Sequence, residues 1–76
     1  MQRYGNYSAE SGVEAYEMDQ DSITIKFVNG WIYKYTTATT GAENIATMQQ
    51  LAMNGIGLNT FINQHVKLGY EDKWQA

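Results

Sequence analysis

Acyl transfer and hydrolysis require a nucleophile, a base and a group that orients the base, all within hydrogen-bond reach. This 76-residue chain has one histidine, His65, no cysteine, and serines at positions 8, 11 and 22. None of the serines stands in the strand-to-helix context of a nucleophile elbow. His65 falls on the apolar side of the last expected helix and is read as a packed side chain with one hydrogen bond. An enzyme would have to pair His65 with Glu43 or Asp72, and no pattern in the sequence brings these groups together. No catalytic residue is assigned.

Metal chemistry has little more to draw on. Without cysteine, only carboxylates could join His65 as ligands, and Glu14, Glu17, Asp19 and Asp21 cluster around one turn. The calcium-loop spacing, with its central glycine and final glutamate, is missing there. The cluster is read as a solvated turn, with no metal and no cofactor. Gly55-Ile56-Gly57 is superficially like a phosphate loop, but Thr60 occupies the position of the third glycine and the stretch joins two helices.

Five Lys plus Arg stand against eight Asp plus Glu, a formal net charge of -3. That balance lacks the broad basic footprint of a nucleic-acid binder. Lys26 and Lys34 on one strand face, with Arg3, remain the candidate phosphate contacts. No apolar run approaches the ~20 residues that cross a bilayer, and the first residues lack a hydrophobic signal core. A cytoplasmic location with no membrane partner is expected. One domain is expected too, stabilised by packing of its six Tyr, two Trp and two Phe.

Those side chains need elements to position them. Residues 1–12 are polar and rich in Gly, Ser and Asn, and read as a flexible tail that Tyr4 and Tyr7 could dock onto the domain. Strands are expected over Val13 to Met18, Ile23 to Phe27 and Trp31 to Thr36, with a turn at Asp19-Gln20-Asp21-Ser22. Between the last two strands lies Val28-Asn29-Gly30. A two-residue Asn-Gly turn would put Lys34 among Ile23, Ile25 and Phe27, and expose the aromatics on the other face as a platform for bases. A three-residue loop, with Gly30 left-handed in a bulge, shifts the pairing by one. Phe27 then faces Trp31, Ile25 faces Tyr33 and Ile23 faces Tyr35, so all six share one face. Hydrophobic patterning favours this second register, because a one-residue slip flips every side chain.

Thr40-Gly41-Ala42-Glu43 matches a capping box, and a helix is expected through about Asn54, with Ile45, Met48, Leu51 and Ala52 on its apolar stripe and Gly55 as left-handed stop. Leu58, Phe61, Ile62, His65 and Val66 mark a second amphipathic helix, with Asn59 as candidate N-cap and Gly69 as candidate stop. The expected architecture is α+β: a three-stranded antiparallel β-meander followed by two short helices packed on one face. The domain spans residues 13–69, and 70–76 form a C-terminal tail whose Trp74 packs back or meets a neighbouring subunit.

The pattern Phe27-x-Asn29-Gly30-x-x-Tyr33-x-Tyr35, then a helix, then Gly55-x-x-Leu58-Asn59-x-x-Ile62, resembles the KTSC domain. That small family occurs at the C-terminus of some lysyl-tRNA synthetases and as stand-alone bacterial proteins. Its hallmark Tyr-x-Tyr is matched by Tyr33-Lys34-Tyr35, and the resemblance covers roughly residues 11 to 66. It implies a role in RNA binding, suggested by the attachment to a tRNA synthetase, and brings no catalytic residue. From the residues themselves, Tyr33 and Tyr35 form an architectural motif with Gly30, Gly55 and Asn59, their hydroxyls finding partners such as Asn59 or His65. The expected function is a non-enzymatic binding or interaction module that self-associates or takes a protein partner. The alternative is an RNA-binding accessory domain using lysines and tyrosines on the sheet.

Overall fold

A computed structural model describes residues 1–5 and 12–76. Five antiparallel strands form one sheet in sequence order: β1 (Gln2–Arg3), β2 (Val13–Asp19), β3 (Ser22–Phe27), β4 (Trp31–Thr36) and β5 (Asp72–Gln75). Helices α1 (Thr37–Thr40), α2 (Ala42–Asn54) and α3 (Leu58–Phe61) come between β4 and β5, and α3 runs directly into a π-helical segment, Ile62–Val66. The fold is α+β, as expected, but the sheet has two strands more than the expected meander and the helical part is divided into more pieces.

The β3–β4 hairpin adopts the bulged register. Ile25 pairs with Tyr33 and Ile23 with Tyr35. The Gly30 N–H donates to the Phe27 carbonyl at 3.0 Å. Gly30 itself sits at φ +93°, where a side chain would be strained. The Trp31 N–H donates to Asn29 Oδ1 at 3.0 Å, closing the turn from the other side. In β2 the register shifts between Val13 and Ala15. This irregularity lets Val13 and Tyr16 both reach the core, while Ala15 lies beneath the opposite face.

The core lies between that inner face and the helices. Ile23, Ile25 and Tyr35 meet Ile45, Met48 and Ala52 of α2 and Leu58, Ile62 and Val66 beyond it, all buried. Each isoleucine, leucine, valine or methionine among them contributes about 1.5–3 kcal/mol on burial. Gln49 clamps α2 to the β2–β3 turn, its Nε2 donating to the Asp19 and Ser22 carbonyls at 2.8 and 3.0 Å. Gly55 ends α2 in the left-handed conformation, its N–H donating to the Leu51 carbonyl at 2.9 Å.

Four expectations are corrected. Thr40 does not cap α2. Thr36 caps the short α1 by accepting from the Thr39 N–H, Gly41 precedes α2 without a side-chain cap, and Thr40 Oγ1 donates to the Gly69 carbonyl at 2.7 Å. Asn59 is not an N-cap either, because α3 starts one residue earlier, after Gly57. His65 is exposed rather than packed in the apolar stripe. The π winding after Phe61 carries it off the line of Leu58, Ile62 and Val66. Finally, neither end is a plain tail. Gln2 and Arg3 pair with Tyr16 and Ala15, and residues 72–75 pair with β4. Tyr4 is buried, and its hydroxyl accepts from the Leu58 N–H at 3.3 Å. Tyr7, Ser8 and Ser11 lie outside the described residues.

Candidate functional site

Alternation along β4 sends Tyr33 and Tyr35 to the inner face, as the bulged register requires. Their rings stack at 6.3 Å with planes 16° apart, and Tyr33 also meets Phe27 and Tyr70 edge to face at 5.4 and 5.1 Å. Tyr35 is only 1% exposed. Burial, with smaller contributions from the neighbouring Tyr33 and Tyr70 phenols, pushes its hydroxyl well above the usual tyrosine range. Neither Asn59 nor His65 bonds to it. Among the described residues the Tyr35 hydroxyl has no hydrogen-bond partner, and His65 stacks on Phe61 at 4.7 Å instead.

A cleft of about 240 Å³ opens beside these rings, between the β3–β4 hairpin and the α3–π helix. Phe27, Tyr33 and Tyr35 line the sheet side, and Asn59, Asn63 and Lys67 the helix side. The structure therefore brings Tyr33, Tyr35 and Asn59 together, next to the Gly30 turn, whereas Gly55 sits at the far end of α2 and serves as its cap. Asn63 and Lys67 escaped the sequence reading. Their spacing from Asn59, four residues at each step, was the available signal.

The outer sheet face is different in kind. Cross-strand pairing runs from Arg3 through Ala15, Lys26 and Ile32 to Trp74, with Glu17, Thr24, Lys34 and Asp72 in the adjacent row. The three candidate basic residues, Arg3, Lys26 and Lys34, thus share one face. Acids are interleaved with them: Lys26 Nζ lies 3.2 Å from Glu14 and Lys34 Nζ 4.0 Å from Glu71. Such exposed pairs contribute about 0–1 kcal/mol each. Asp19 and Asp21 border a larger depression of about 490 Å³ together with Lys34 and Glu71. Among the described residues no three carboxylates or histidines converge as metal ligands. Glu43 sits in the first turn of α2, and the Asp72 carboxylate accepts from the Lys73 N–H at 2.8 Å, so neither partners His65.

The last surface is the free edge of β5. All four of its residues are exposed, and Trp74 keeps 41% of its surface. Two interactions hold the strand. Backbone bonds run along β4, with the Ala76 N–H donating to the Gly30 carbonyl at 2.9 Å. On the inner face, Lys73 Nζ lies 5.3–5.9 Å from the ring centroids of Trp31, Tyr33 and Tyr70. In an antiparallel ladder, residues bonded to the neighbour alternate with residues whose backbone groups point away. Ala76 and Trp74 are turned toward β4, so the N–H and C=O of Lys73 and Gln75 face outward, unpaired by the sheet.

Among the described residues no helix is long and apolar enough to cross a membrane. In comparison with known proteins, no family model, curated protein or solved structure matches the chain.

Proposed function

We propose that this chain is a small non-enzymatic interaction module that pairs with a second copy of itself through the outer edge of β5. The observation that carries this reading is the outward-facing backbone of Lys73 and Gln75 on either side of exposed Trp74. The edge is self-complementary. A two-fold axis at Trp74 sets Lys73 opposite the other copy's Gln75, and each such pair exchanges two backbone hydrogen bonds once the Lys73 N–H turns from Asp72 Oδ1 to the partner carbonyl. The two Trp74 rings then meet as a cross-strand aromatic pair, worth about 0.5–1.5 kcal/mol beyond the area they bury. Centring the axis on Lys73 would instead oppose two like charges. Natural edges are usually blunted by short strands or inward-turned charge. Asp72 and Lys73 supply charge here, but Lys73 spends it on the aromatic rings rather than on repelling a partner.

Sedimentation equilibrium over a concentration series tests this reading. The weight-average mass should climb from 8.6 kDa toward twice that value. A strict monomer at ~1 mM, where even a −4 kcal/mol association would be half formed, overturns it.

The alternative, an RNA-binding accessory domain, draws on the likeness of Tyr33-Lys34-Tyr35 to the KTSC motif and on the shared face of Arg3, Lys26 and Lys34. Interleaved acids and the net charge of -3 oppose it. With Tyr33 and Tyr35 turned inward, Trp74 is the ring left on that face among the described residues for a base to stack on. A mixed RNA pool at ~50 mM salt, where phosphate contacts are strongest, should leave the amide spectrum of residues 24–36 unchanged. Salt-sensitive shifts there would favour RNA instead.

A further inference from the structure

The cleft at Tyr35 has a feature that packing alone does not explain. Buried hydroxyls are ordinarily hydrogen-bonded, because an unpaired one forfeits its hydration without compensation. Tyr35 is 99% buried by area, yet its hydroxyl has no partner among the described residues. No fully enclosed side-chain polar atom there lacks a bond. The Tyr35 oxygen therefore keeps contact with open space, and Tyr35 lines this cleft.

The rest of the lining points to one kind of occupant. Phe27 and Tyr33 supply aromatic surface. Asn29 spends its Oδ1 on the Trp31 N–H, which leaves its amide hydrogens free to donate. Asn59 and Asn63 make no side-chain bonds among the described residues, and Lys67 has no ion pair there. No acidic side chain lines the cleft. It is rich in donors, carries one cation and has an aromatic wall. The π segment helps to assemble it: a four-residue step overshoots one turn of an α-helix but falls short of one turn in the wider π winding. Combining the two keeps Asn59, Asn63 and Lys67 facing the same way.

We propose that this cleft binds a planar aromatic carboxylate, its ring against Phe27 and Tyr33 and its oxygens on the Tyr35 hydroxyl, the asparagine amides and Lys67. At about 30 Å³ per water, the cavity has room for about eight waters, the scale of a single substituted ring. The elevated ionisation range of Tyr35 keeps its hydroxyl protonated, and so able to donate, far above neutral pH. The proposal is independent of pairing at β5, because Asn59, Asn63 and Lys67 belong to the helical side.

The test is a titration of isotopically labelled protein with benzoate, with neutral benzamide, and with a short peptide ending in phenylalanine. Saturable benzoate shifts are expected at Phe27, Asn59, Asn63 and Lys67, with benzamide several-fold weaker. Tyr35→Phe, which removes an oxygen without any protein partner and should fold normally, should weaken benzoate about fivefold. Lys67→Gln should abolish the preference for benzoate over benzamide. Tighter binding of the peptide than of benzoate identifies a chain terminus as the source of the carboxylate, and the reverse order a free small acid. Absence of saturable shifts for both acids at ~10 mM, or equal binding of benzoate and benzamide, overturns the proposal.

Discussion

The two edges of the sheet are built on opposite terms. β1 contributes two residues and is tied down just beyond them by Tyr4, buried at 3% exposure and bonded to the Leu58 N–H. β5 contributes four residues and buries none of them. It is held by backbone bonds to β4 and by the Lys73 ammonium over three rings. At β1 the anchoring energy comes from the core, and little strand is left to offer. At β5 the strand is longer, its outer backbone groups are unpaired by the sheet, and Trp74 stands beside it. An edge fixed from within is structural, whereas one fixed only along its inner side can take a further strand.

The comparison can be broken most forcefully at Tyr4. Tyr4→Ala empties a buried site and leaves the Leu58 N–H unpaired, and should cost about 3–5 kcal/mol in urea unfolding. Trp74→Ala uncovers only part of Ile32 and should cost the monomer less, about 1–2 kcal/mol. Equal costs would erase the distinction. Next in size, Gly30→Ala forces a side chain into a left-handed position and should cost about 1–2 kcal/mol. Heteronuclear spectra would report whether the β3–β4 register survives. Lys73→Met should cost about 1 kcal/mol. It should also speed amide exchange at residues 72–76 while leaving Gln2 and Arg3 unchanged. Loss of protection at both edges would mean that they are not independent.

The mildest test is by pH. Tyr35 holds its proton more tightly in the folded chain than in the unfolded one, so between the two ionisation ranges the folded state binds more protons. Its contribution to stability is complete below about pH 10 and is lost as pH rises beyond it. Tyr35→Phe should flatten this alkaline decline and leave the neutral-pH profile alone.

Sequence reading succeeded where side-chain pattern and backbone geometry agree. The register at Gly30 was legible because only one pairing collects Ile23, Ile25, Phe27 and three aromatics on a single face. Gly55 was legible because a glycine after an amphipathic run is a common helix stop. β5 was not, because Asp72-Lys73-Trp74-Gln75 carries no apolar alternation and exists through backbone pairing with β4. His65 was misplaced for a subtler reason: helical periodicity assumes a constant winding, and the passage from α to π after Phe61 has no signature in residue type. Thr40 was one of four threonines between residues 36 and 40, any of which could cap a helix. Thr36 does so because the chain leaves β4 there. The donor-lined cleft was half visible, through Tyr33, Tyr35 and Asn59, while Asn63 and Lys67 joined it only once the helix was wound.

Self-association at β5 stands or falls with Gln75→Pro. Proline there removes an N–H that faces away from β4, sparing the internal ladder and Lys73 alike. Sedimentation equilibrium of the parent chain and the variant, at matched concentrations, should show the parent's mass rising with concentration and the variant remaining at 8.6 kDa with unchanged stability. A variant that self-associates as readily as the parent would place the contact elsewhere and contradict the account.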